Sequence, residues 1–448
     1  MSKIEDFFRF EINNRLFEII DDDGHRPWEA IRFYVCCRVV NSFGMPHQLE
    51  THSRPFLKRL CVHTFRILSD VVYIFRHRHC PYMFMINSRD KKDGFYYDKI
   101  CGGLYDLVDK SKTFTIETNW PPTNYQYESY ACSNELYSLL SVLFNKRYFF
   151  NFNQINTMLK KNYPDLNMSV DEMNFYYNTF KIQYRFYKSL YRYCGTKRMF
   201  MVQNGIQKGL LAAAKECGVE VFELQHGQIN KNHSAYSYPN CDELNAEMIY
   251  HPSYLLTFGT FWHKNRHYPG VENIVIGNDS YTERISISER KQSKHILVIS
   301  NMDDGQMLFD FIKDIQRIDQ EYYFYFKLHP NQYNEKEHFC SITREYCNIE
   351  VLTNEYTINH LLSKVDAVLL VQSTVELEAL RMGRRVYIIK KGAYKNMEFV
   401  FDEKGVTLIN DAKEFVDIYK ENEKDYLPPR EDLFSPFNIE IAKNFFEL

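Results

Sequence analysis

From residue 198 to residue 389, short apolar runs alternate with helix-period segments, and that alternation leaves few folds open. Runs at 199–202, 219–224, 254–258 and 273–276 have strand length, and 204–216 carries Leu210, Leu211 and three alanines at helical spacing before Gly218. A second series follows, with strand-like runs at 295–300, 322–328, 349–352, 367–371 and 385–389 and helices expected over 304–319, 357–363 and 375–382. Strands that regularly give way to helices predict an α/β fold with parallel sheets, because each crossover helix covers a sheet face. Two series in tandem predict two Rossmann-like domains facing a cleft.

A chain of 448 residues exceeds one ordinary core. The polar, charged stretch 278–294 is the expected linker. Residues 1–277 then form an N-terminal, acceptor-side domain, helix-rich over 1–195 and α/β over 196–277. Residues 295–435 form the C-terminal domain, and 436–448 are expected to be a helix that packs back on the first domain. Within the helix-rich part, Pro27 suits the first turn of a helix. Residues 82–86 read as a buried strand running into the polar loop Asn87-Ser88-Arg89-Asp90, and 133–195 as long, aromatic and basic helix. Residues 54–79 set Arg54, Lys58, Arg59, Arg66, Arg76 and Arg78 among apolar residues at helical spacing. That is either the solvated face of a core helix or a surface for an anionic membrane.

A net charge of −3 argues against nucleic acid as a partner. The 11 cysteines are odd in number and form no C-x-x-C, which fits reduced thiols better than disulfides or zinc. The start Met1-Ser2-Lys3-Ile4-Glu5-Asp6 is too polar for a signal peptide, and no run of about 18 apolar residues exists. The expected location is therefore cytoplasmic. With 34 Tyr and 35 Phe the chain is rich in rings, which reflects either base composition or surfaces that meet sugars.

Three stretches carry chemistry. In Lys327-Leu328-His329-Pro330 the proline stops strand pairing and fixes the turn, which would hold His329 at a strand tip. A histidine there can donate to a phosphate and help neutralise a leaving nucleotide. Gln372-Ser373-Thr374 begins a helix, so its hydroxyls either cap that helix or bind phosphate beside free N–H groups. Glu378, one turn on, could accept both hydroxyls of a ribose. In Gln225-His226-Gly227 the glycine suggests a tight turn, with His226 at its lip as a general base for a sugar hydroxyl. Gln225 and Gly227 join Lys327, His329, Pro330, Gln372, Ser373, Thr374 and Glu378 as expected donor contacts. Asn87, Arg89, Tyr236 and Tyr238 are the expected acceptor contacts, the two tyrosines as a stacking surface.

Dinucleotide, P-loop, zincin and hydrolase-elbow motifs are all missing, and no D-x-D stands at a strand end. No metal or other cofactor is expected.

Together these residues resemble the GT-B type, two-domain glycosyltransferases that build bacterial capsules and lipopolysaccharide, above all the capsule-polysaccharide biosynthesis transferases. His329-Pro330 and Ser373-Thr374 are similar to the His-Pro and paired-Ser motifs with which bacterial polysialyltransferases hold a CMP phosphate, with Thr as the second residue. His226-Gly227 and His329-Pro330 resemble the His-Gly and His-Pro of teichoic-acid glycerophosphotransferases. The likeness spans residues 200–390. The acidic pair before glycine that supplies the sialyltransferase base has a loose counterpart in Asp22-Asp23-Gly24, so His226 is the expected base. The resemblance implies a GT-B-like fold and metal-independent transfer from a nucleotide-sugar donor to a glycan or lipid-linked glycan, with peripheral contact to an anionic membrane. A single base makes inversion the simpler outcome. A CDP-glycerol or CDP-ribitol phosphotransferase, a UDP-sugar 2-epimerase and a non-enzymatic assembly module stay open as alternatives.

Overall fold

A computed structural model describes residues 3–40, 67–118, 132–133, 148–282, 292–422 and 427–447, apart from 89, 93, 265–266, 302–303 and 345. Arg54, Lys58, Arg59 and Arg66, and most of the expected linker, lie outside the described residues. The chain divides into two compact units. The first is Met1–Thr257 with Trp262–Ile276 and Phe437–Leu448, and the second is Phe258–Phe261 with Gly277–Pro436. Phe258–Phe261 therefore leaves its neighbours in sequence to join the second unit.

The first unit holds a seven-stranded parallel sheet built from β1 (Tyr82–Ile86), β4 (Thr113–Glu117), β5 (Cys132–Ser133), β6 (Arg198–Met201), β7 (Glu220–Leu224), β8 (Tyr254–Thr257) and β9 (Glu272–Val275). A separate antiparallel hairpin, β2 (Asp90–Lys92) and β3 (Phe95–Tyr97), interrupts the first crossover. The sheet order is β5-β4-β1-β6-β7-β8-β9, so the chain works outward from β1 and then returns to β6 on its other side. β1 and β7 present almost nothing but buried side chains, as strands covered on both faces must. Register aligns Phe84, Phe200, Phe222 and Tyr254 across four strands. Their rings stack at 4.5, 5.0 and 4.6 Å. Phe445 and Phe446, beyond the helix Ile439–Asn444, lean on the same row. Much of the aromatic content is therefore core.

The second unit repeats the plan. Its strands are β10 (Gln292–Ile299), β11 (Tyr323–Lys327), β12 (Ile349–Leu352), β13 (Val365–Leu370), β14 (Arg385–Ile389) and β15 (Val406–Ile409), all parallel, in the order β12-β11-β10-β13-β14-β15. The helix Gly305–Ile318 buries Leu308, Phe309, Phe311, Ile312 and Ile315 at three- and four-residue spacing, into one core with Phe415 and Tyr419 of the helix Ala412–Asn422. Each sheet thus has the doubly wound order and reverses direction once, at β1/β6 and at β10/β13. Such reversals open a crevice at the carboxyl ends of the strands, where ligands of α/β folds bind. No described helix is long and apolar enough to cross a membrane.

Candidate functional site

In the second unit side chains tie the loop after β10 to that after β11, and the loop after β13 to that after β14. His329 is the N-cap of the 3₁₀ helix Pro330–Glu335: its Nδ1 accepts from the Asn331 N–H at 3.2 Å, with Pro330 in the first turn. Gln332, buried behind it, accepts through Oε1 from the Ser300 hydroxyl at 2.7 Å and from the His329 N–H at 3.4 Å. One amide therefore joins the loops after β10 and β11. It also explains Gly305, where an added Cβ would come within 2.6 Å of Gln332 Nε2. Asn301 closes the turn into that helix, exchanging hydrogen bonds with Asp304. Lys327 is half-buried, with Nζ reaching the Tyr356 carbonyl at 3.3 Å, and burial lowers its pKa.

After β13 the two hydroxyls part company. Ser373 Oγ accepts from the Val375 N–H at 3.3 Å, a local cap, so it serves the chain first. Thr374 is exposed and its side chain makes no cap bond to the helix Val375–Arg381. Gln372 Oε1 accepts from Asn396 at 2.7 Å, which ties this loop to the one after β14. Glu378 is half-buried. The carboxylate that the helix buries completely is Glu376, whose two oxygens have no hydrogen-bond partner among the described residues. Burial alone drives its pKa well up.

In the first unit His226 stands two residues past β7, half-buried. Its neighbour His233 is held neutral, its pKa pushed down to about 4 by burial and by His226. Several expectations for this loop need correction. Gln225 is fully buried and donates to the Gly227 carbonyl at 2.8 Å, so it closes the turn and offers nothing to a donor. Gly227 does not take a left-handed backbone, and a Cβ there would meet nothing. Tyr236 and Tyr238 are 1% and 2% exposed, which leaves no ring face for a sugar. The Tyr236 hydroxyl donates to Glu223 at 2.7 Å. The Tyr238 ring lies between the Arg32 guanidinium at 4.0 Å and the Tyr268 ring at 5.4 Å. Arg89 lies outside the described residues. Asn87 is half-buried after β1, its N–H donating to Asp98 at 2.7 Å.

Two features escaped the sequence. Arg32, from the helix Pro27–Val40, donates to Glu11 at 2.6 and 3.1 Å and to the carbonyls of Ser234 and Ser237, so the N-terminal helices grip the loop that follows His226. The second lies beside the Asp22-Asp23 pair: Asp21, Asp23 and His25 come close enough to hold a cation. Lys181 supplies one, donating to Asp21 at 2.9 Å, Asp23 at 2.6 Å and His25 Nδ1 at 2.8 Å. Burial and the lysine's charge lower the His25 pKa, consistent with a neutral ring that accepts.

No family model and no curated protein matches the chain. Among solved structures it is similar to a UDP-GlcNAc 2-epimerase from Methanocaldococcus jannaschii, with TM-score 0.43 and 10% identity over 81% of this chain and 98% of that one. It is also similar to MurG of Acinetobacter baumannii, with TM-score 0.41 and 9% identity over 82% and 94%. A third is UGT2 of Phytolacca americana, complexed with UDP-2fluoro-glucose and pterostilbene, with TM-score 0.40 and 12% identity over 77% and 90%. Likeness at this level extends none of these activities to the present chain.

Proposed function

We propose that the chain is a GT-B-like, metal-independent glycosyltransferase that moves a sugar from a nucleotide-activated donor to a growing surface glycan of the capsule or lipopolysaccharide kind, working against an anionic membrane. The observation that carries the reading is the hydrogen bond from the Asn331 N–H to His329 Nδ1. Because Nδ1 accepts the Asn331 N–H, a neutral ring carries its hydrogen on Nε2. That N–H is a donor suited to a phosphate oxygen, at the carboxyl end of a strand one removed from the β10/β13 reversal. Thr374 adds an exposed hydroxyl from the strand on the far side of the reversal, and Lys327 adds positive charge. Glu378 is the group for the ribose hydroxyls, and Gln372 and Ser373 shape the loop. His226 takes the proton of the acceptor hydroxyl as its oxygen bonds to the anomeric carbon. The bond from that carbon to the donor phosphate breaks, and the configuration inverts.

The test is thermal unfolding of the purified protein with CMP, CDP, UDP, GDP and dTDP, repeated on His329→Ala and His329→Asn. Asparagine can keep the cap while losing the imidazole. A nucleotide at 100 times its Kd adds about 2.7 kcal/mol to stability. The expected result is a shift with one nucleotide that both variants lose. No shift with any nucleotide would remove the donor site, and a shift retained by His329→Asn would remove His329 from it.

A further inference from the structure

Residues 67–76 are helical, and their outward stripe is apolar. Leu68, Val72 and Phe75 are 60%, 47% and 71% exposed. Spacings of four and three put them on one side of the helix. The opposite side is anchored: Asp70 and Tyr73 are buried, the Tyr73 hydroxyl accepts from the Thr115 N–H at 3.1 Å, and its ring meets Phe114 edge-on at 5.1 Å. The stripe is thus held outward by packing against β4. Arg76, Arg78 and His79 follow it and are exposed, while the sole acid between 67 and 79 is the buried Asp70. Tyr193 extends the surface, edge-on to Phe75 at 6.4 Å and under the Arg78 guanidinium at 5.8 Å, with Lys197 exposed nearby in sequence.

We infer that this face, Leu68, Val72 and Phe75 with Arg76 and Arg78, is the surface by which the protein docks on an anionic lipid bilayer. The inference names the membrane contact of the proposed function but does not depend on the donor. Exposed apolar side chains enter the headgroup region while cations meet lipid phosphates, and this helix presents both with no exposed acid between. A second copy of the chain fits less well, because it would bring the arginines of both copies into one interface with no exposed acid between 67 and 79 to pair them.

Full-length protein is sedimented with vesicles of phosphatidylglycerol and phosphatidylcholine, and with phosphatidylcholine alone, alongside Leu68→Ser/Phe75→Ser and Arg76→Glu/Arg78→Glu. The parent is expected to bind the anionic vesicles at least about tenfold more tightly than the neutral ones. Both variants should lose about tenfold on anionic vesicles, the arginine pair mainly at low salt because screening weakens its contribution. Nucleotide-dependent thermal shifts should be unchanged in both, which keeps this outcome apart from failure of the donor site. A parent that ignores anionic vesicles, or variants that bind like it, would overturn the assignment. So would a parent dimer in sedimentation equilibrium that Leu68→Ser/Phe75→Ser dissolves.

Discussion

At the scale of single residues, Glu376 is the side chain furthest from ordinary behaviour. It sits in the first turn of the helix after β13, fully buried, with neither oxygen hydrogen-bonded among the described residues. Burial raises its pKa, so the folded chain holds the proton where the unfolded chain releases it. Below the ordinary carboxylate range, about 4, both states are protonated and stability is full. As pH climbs from there toward the folded-state value, proton release favours unfolding and stability falls. Glu376→Met removes the acid at similar volume. It should raise stability at low pH, because the protonated acid leaves its oxygens unpaired among the described residues, and raise it further, by on the order of 1–3 kcal/mol, at neutral pH. Urea unfolding at both pH values measures this, and a difference independent of pH would show that the carboxyl is not a buried neutral acid. The sequence pointed instead to Glu378. Helical spacing identifies which residues share a face, but burial of a first-turn carboxyl depends on what packs over it, which spacing does not encode. The place of His329 just past a strand end was legible because a proline after a strand has one local consequence. Tyr236 and Tyr238 were misread because rings near a loop look alike whether they face solvent or pack on Glu223 and Arg32.

At the scale of elements, the strand and helix alternation after residue 198 was readable because each parallel strand is a short apolar run between breakers. In the helix-rich first part the helix start at Pro27 and the buried strand 82–86 were readable, but the rest of the sheet and its ties were not. β4, with the sequence Thr-Phe-Thr-Ile-Glu, hides its burial behind polar side chains, and the helices Lys3–Asn13 and Pro27–Val40 are tied to the sheet unit by pairs far apart in sequence. Glu11 accepts from Trp28 at 2.8 Å and from Arg32, and Arg32 reaches carbonyls some two hundred residues away. Both charges are buried, so each depends on the other. Removing one partner of such a pair typically costs about 3–5 kcal/mol, whereas replacing both by apolar groups is often neutral. Arg32→Met should therefore destabilise by that order, and Glu11→Met/Arg32→Met should recover most of it. Chemical denaturation of the three proteins decides this. A stable Arg32→Met would mean that the guanidinium is not what holds the loop after His226.

At the scale of the whole molecule, the chain ends by returning to the first unit, and this return closes a core. The Phe84, Phe200, Phe222 and Tyr254 row is covered by Phe445 and Phe446. Arg198 donates to the Phe445 carbonyl at 2.7 Å, and the Tyr82 hydroxyl donates to that of Phe446 at 2.6 Å. Aromatic pairs add about 0.5–1.5 kcal/mol beyond the area they bury. Losing one core phenylalanine costs about 3–5 kcal/mol. The second unit has its own core, centred on Phe309, Phe324, Phe326, Leu369 and Phe415, and among the described residues that core includes none after Pro436. A chain ending at Pro436 should therefore unfold in two calorimetric steps. The step belonging to the first unit should move down by several degrees or more, since about 1 kcal/mol corresponds to 2–4 °C in a unit of this size. The step belonging to the second should stay in place and keep any nucleotide-dependent shift of the full chain. If both steps fall together, the two cores share their stability. If neither moves, the aromatic row does not need its cover.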